Sequence, residues 1–87
     1  MNFEEYKKDV LIYNMTFNKF IQYYNDILNM QKNNDAEKAI AYAEILSYAT
    51  VAPITKYETI MLKGYVHSLK SLVEEAALKN QDKASHK

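Results

Sequence analysis

His67 is the one histidine lying in a stretch patterned for regular structure, and any acid–base or metal chemistry depends on what the chain can bring beside it. The carboxylates flanking it, Glu58 and Glu74, stand nine residues before and seven after. There is no His-Glu-x-x-His or Glu-x-x-His spacing, so one chain has no ligand set for zinc or a di-iron centre. Cysteine is absent, which removes thiolate nucleophiles, disulfides and zinc–sulfur sites together. A single glycine cannot form a phosphate-cradling loop, and so a P-loop or a dinucleotide fingerprint is excluded. The adjacent pairs Glu4-Glu5 and Glu74-Glu75 point to different sides of a helical turn and read as solubilising charge rather than a carboxylate dyad. The expectation is a protein without catalysis, metal or cofactor.

Lys56, Lys63 and Lys70 recur every seven residues, with His67 beside the last two, and on a helix they share one face. That face could track an anionic partner. Arginine, which makes the commonest bidentate base contact, is missing altogether, and Glu74 continues the same stripe. Eleven basic residues balance eleven acidic ones, so no bulk field recruits a polyanion. Nucleic acid is therefore disfavoured, and the plainer reading is a solvated face flanking a core stripe.

Two further surfaces point to a protein partner. Asn14, Asn18, Gln22, Asn25 and Asn29 form a neutral amide stripe at steps of four, four, three and four. Asparagine costs up to about 0.7 kcal/mol against alanine in a helix interior, so the stripe reads either as a surface that hydrogen-bonds a partner or as asparagine enrichment from AT-rich codons. More informative is the apolar set that a heptad register turns outward: Leu11, Ile12 and Met15, with Tyr23 two turns on. Eight tyrosines and three phenylalanines exceed what so small a core can bury completely, and aromatic residues are enriched at interfaces. The expected partner-binding residues are Leu11, Ile12, Met15, Asn18, Gln22 and Tyr23.

The elements that must position these residues follow from periodicity. Phe3, Tyr6, Val10, Tyr13, Phe17, Phe20, Tyr24 and Ile27 alternate steps of three and four, which predicts one long heptad-patterned helix over residues 3–29. Ile21 and Leu28 widen its stripe, as suits a bundle. Asn34 three residues before Glu37 resembles a capping box, so a second, alanine-rich helix is expected over residues 35–50. Thr55-Lys56-Tyr57-Glu58 is a capping box proper and starts a third helix, residues 54–78, with Ile54, Tyr57, Met61, Tyr65, Leu69, Leu72, Val73 and Ala76 inward. Gly64 interrupts that face and is expected to admit an aromatic ring. The core should centre on Tyr13, Phe17, Phe20, Tyr24, Ile45, Leu46, Leu69 and Leu72.

Eighty-seven residues make at most one domain, and one glycine with one proline leaves almost no hairpin chemistry. The expected architecture is all-α: a small antiparallel three-helix bundle over residues 1–78, with residues 79–87 as a disordered tail. Helix 2 is too short to cover helix 1, which argues for self-association, most simply a homodimer. No apolar run approaches the roughly 20 residues of a membrane span and no leader pattern opens the chain, so a cytoplasmic protein is expected. The function class is a small protein–protein interaction module acting by steric occupation. Its size and AT-rich composition are those of the accessory proteins with which phages and mobile elements block host enzymes or defence complexes, anti-CRISPR proteins included. The alternative is a nucleic-acid-associated bundle using Lys56, Lys63, His67 and Lys70.

Overall fold

In a computed structural model that describes residues 2–85, the chain is all-helical, with four helices where three were expected: α1 (Phe3–Leu11), α2 (Phe17–Lys32), α3 (Ala36–Leu46) and α4 (Lys56–Ser85). Each start has a local cause. The Asn2 side-chain oxygen accepts from the amides of Glu4 and Glu5 at 2.8 and 3.3 Å, and the two acidic residues complement the helix dipole. The Thr16 hydroxyl accepts from the Lys19 amide at 3.1 Å and opens α2. At α4 the expected capping box forms in both directions: Glu58 N donates to Thr55 Oγ1 at 3.2 Å and Thr55 N donates to Glu58 Oε2 at 3.4 Å.

The long first helix of the sequence reading is thus two helices, divided at residues 12–16. Thr16 supplies the cap that restarts the helix, and a long-range clamp holds the break open. Met15 N donates to the Thr50 carbonyl at 3.0 Å, and Ala52 N donates to the Met15 carbonyl at 2.6 Å. Backbone groups that would have served a continuous helix are satisfied by the α3–α4 connection instead. Asn34 also changes role. It lies in the left-handed region at φ 60° and closes α2 in a Schellman turn, with Asp35 N donating to Met30 O and Asn34 N to Gln31 O. Asp35, not Asn34, precedes α3, and its side chain makes no capping bond. Helix α3 ends at Leu46, short of the expected residue 50, because Ser47 turns its hydroxyl back to the Glu44 carbonyl at 2.6 Å. Helix α4 runs on to Ser85 rather than stopping near residue 78, so the expected tail begins inside a helix. Its last two residues, 86 and 87, lie outside the described residues.

The core draws on all four helices. Tyr6 and Val10 from α1, Phe20, Tyr23 and Ile27 from α2, Ala39, Tyr42, Ala43 and Leu46 from α3, and Leu69 from α4 are buried, together with Met15 from the break. Alanines at 39 and 43 thin the surface of α3 so that its neighbours approach closely. At one end Tyr6 packs edge-on to Tyr23 and tilted against Tyr42, with ring centroids 4.9 and 4.5 Å apart, and Phe3 meets Tyr42 at 5.1 Å. At the other end Tyr65 of α4 meets Tyr24 at 4.8 Å and Phe20 at 6.4 Å.

Of the expected core, Phe20, Leu46 and Leu69 are buried, Phe17, Tyr24, Ile45 and Leu72 are half-buried, and Tyr13 is exposed because it lies in the break. Tyr57 and Met61, expected inward, are exposed as well. A Cβ at Gly64 would meet nothing within 4 Å, so that glycine admits no ring.

Candidate protein interface

The corner between α1 and α2 gathers the groups best placed to meet a partner. Helix α1 carries Lys8 in its last turn and ends at Leu11, with Ile12 as its cap, the Ile12 amide donating to the Lys8 carbonyl. Leu11, Ile12 and Tyr13 then face solvent in succession, 51, 68 and 62% exposed. Three consecutive large apolar residues at a corner form one knob, with no polar residue between them.

The expected set divides. Leu11 and Ile12 are exposed as read, and Asn18 and Gln22 lie on the solvent side of α2 with Asn25 and Asn29. Met15 and Tyr23 are corrected: both are buried. Met15 is drawn inward by its backbone clamp to residues 50 and 52. Tyr23 is inward because it flanks the stripe of Phe20 and Ile27, three residues after one and four before the other, and Tyr6 and Asp9 of α1 pack over it. Tyr13, read as core, takes their place on the surface. Asn14 leaves the amide stripe because it lies in the corner rather than on a helix.

Beside the knob is a polar notch of about 310 Å³ lined by Asp9, Tyr13, Asn14, Met15, Thr16 and Lys19. Its inner wall is an ordered pair: the Tyr23 hydroxyl donates to Asp9 Oδ2 at 2.7 Å, and Lys19 Nζ stands 5.2 Å from the centre of the Tyr23 ring. Burial first, then the hydrogen bond and the negative charge of Asp9, and Asp26 beyond it, push the Tyr23 phenol up to about 12. Burial likewise raises Tyr6, aided by Tyr23, Tyr42 and Asp26, and the Tyr6 hydroxyl donates to the Tyr42 carbonyl at 2.8 Å. The Tyr23 hydroxyl thus ties α2 to α1, and the Tyr6 hydroxyl ties α1 to α3.

Lys56, Lys63, His67 and Lys70 are all exposed along α4. The structure keeps them on one face, as the spacing implied, and gives Lys63, His67 and Lys70 a shallow groove floored by half-buried Leu62 and Val66. Among the described residues no group of three or more His, Asp or Glu side chains is placed to hold a metal ion, and no helix is long and apolar enough to cross a membrane. No protein-family model, curated protein or solved structure matches the chain.

Proposed function

We propose that this chain is a non-catalytic module that binds another protein through the α1–α2 corner and acts by occupying its partner's surface. The observation that carries this reading is the knob of Leu11, Ile12 and Tyr13, three exposed apolar residues held at a backbone break that the α3–α4 connection makes rigid. A knob of this kind suits a partner's apolar pocket, since interface energy concentrates in a few desolvated apolar or aromatic anchors. The adjacent notch adds Asn14, Thr16 and Lys19 as a polar rim. The finer proposal is an inhibitor carried by a phage or mobile element against a host enzyme or defence complex, which rests on size, composition and the absence of a catalytic motif.

The test is an Ile12→Lys, Tyr13→Glu double variant. Helicity and melting should match the parent, whereas proteins captured from a host extract by the parent should be lost by the variant. Identical capture by both would overturn the corner as the binding surface. Should generic duplex DNA bind at low salt and release steeply as salt rises, the Lys56, Lys63, His67, Lys70 face would be the working surface instead.

A further inference from the structure

We infer that this chain also associates with a second copy of itself, the outward face of α3 in one molecule lying antiparallel on the outward face of α4 in the other. This surface is separate from the α1–α2 corner and stands whether or not the corner binds a partner.

Because Ala39, Tyr42, Ala43 and Leu46 hold one side of α3 inward, its opposite side carries Glu37, Ala41 and Glu44, at steps of four and three, and Tyr48 follows in the turn just past the helix end. On α4, Leu69 fixes the inward side, and the outward ridge reads Ile60, Lys63, His67 and Lys70, at steps of three, four and three. Laid antiparallel, the two rows match position by position. Glu37 meets Lys70, Ala41 meets His67, Glu44 meets Lys63 and Tyr48 meets Ile60. The charges are opposite at both ionic positions, and small Ala41 leaves room for the imidazole. Tyr48 and Ile60, 69% and 64% exposed, cover each other. A parallel alignment that kept both charge pairs would set Tyr48 against Glu74 and leave Ile60 in water. The spacing of the charges agrees too: Glu37 to Glu44 and Lys63 to Lys70 are each seven residues apart within a helix, about 10 Å at 1.5 Å per residue.

Three observations favour a second copy as the occupant. Among the described residues the one salt bridge is Lys7 with Glu4, so Glu37, Glu44, Lys63 and Lys70 form none there, and Lys70 shares a depression with Glu44 and Glu74 without closing an ion pair to either. The acidic and basic rows belong to one chain of zero net charge, so copies attract locally without repelling overall. Both rows border the same side of the molecule, since Glu44, Tyr48, Lys70 and Val73 line one depression between α3 and α4. An acidic surface without its own basic row would serve only half of this arrangement. Because the rows lie on one side, the acidic row of each molecule can meet the basic row of the other at once about a two-fold axis.

Sedimentation equilibrium of the full chain tests the pairing through charge reversal. The parent should show a concentration-dependent mass above the monomer that falls as salt rises. Lys63→Glu with Lys70→Glu, and separately Glu37→Lys with Glu44→Lys, should each weaken association by more than about tenfold with helicity unchanged, because like charges then face each other. Mixing the two variants should restore it, since every ionic position is again opposite in sign. Lys8→Glu with Lys32→Glu, which carries the same net charge on exposed positions off both rows, should associate like the parent. A parent that stays monomeric would overturn the inference, as would charge-reversed variants that associate undiminished or a mixture that does not recover. Tyr48→Glu provides an independent check on the apolar position and should weaken association without altering the charge pairs.

Discussion

The Tyr23 hydroxyl donates to Asp9 Oδ2 at 2.7 Å, and this bond, with the Tyr6–Tyr23 ring contact, ties α1 to α2. Helix α1 is only nine residues long and meets α2 through these long side chains, so its placement depends on few contacts. Asp9→Ala should therefore cost about 1.5–3 kcal/mol in a denaturant titration, since a charge-assisted, part-buried hydrogen bond is lost. Asp9→Asn keeps an acceptor and should cost less.

The same tyrosines set an alkaline limit on stability. Tyr23 titrates near 12 in the folded chain and Tyr6 is raised as well, against an ordinary value of 10.0 in the unfolded one. Between those values the folded state binds more protons than the unfolded state, so stability is fully present below about pH 10 and falls as pH rises toward 12. Unfolding free energy measured from pH 8 upward should drop through that window, and Tyr23→Phe should flatten the slope.

Phe20→Ala should cost about 3–5 kcal/mol and leave little folded protein, because the ring is wholly buried against Tyr65. Tyr13→Ala, one heptad earlier in the same sequence pattern, should change stability by less than about 0.5 kcal/mol, because Tyr13 lies in solvent. Comparable losses at the two positions in thermal melts would contradict the break at residues 12–16.

Met15→Glu should destabilise by more than about 4 kcal/mol, since it buries a carboxylate with no paired charge. Ile12→Lys, three residues away and exposed, should be neutral within about 0.5 kcal/mol. Circular dichroism during a urea titration separates the two.

Gly64 lies inside α4 with a negative φ and open space where a Cβ would stand. Gly64→Ala should stabilise the protein by about 0.5–1 kcal/mol, read as a raised melting temperature. A loss would mean that the glycine serves close approach by another chain.

Local signals were legible in the sequence wherever one stretch of chain decided the outcome. Thr55 and Glu58 cap each other across a single turn, and the scarcity of glycine and proline left helices as the elements available. Phe20, Leu46 and Leu69 were identifiable as core because each lies on the apolar stripe of its helix. Leu11 and Ile12 were identifiable as exposed for the converse reason, as were the lysines of α4. The tertiary structure alone decided where the first heptad pattern stops. Helical periodicity carries phase only while the helix continues, and the bonds that hold it open at Met15 come from Thr50 and Ala52, far along the chain. Phe20 and Ile27 keep their places on the stripe beyond the break, but α1 packs over Tyr23 beside them, the clamp draws Met15 inward and Tyr13 is left in solvent, so the candidate interface moves to three consecutive residues at the corner. Tyr42 escaped notice for a related reason: its neighbours are alanines, and only the convergence of Phe3, Tyr6 and α3 makes its position the centre of an aromatic cluster.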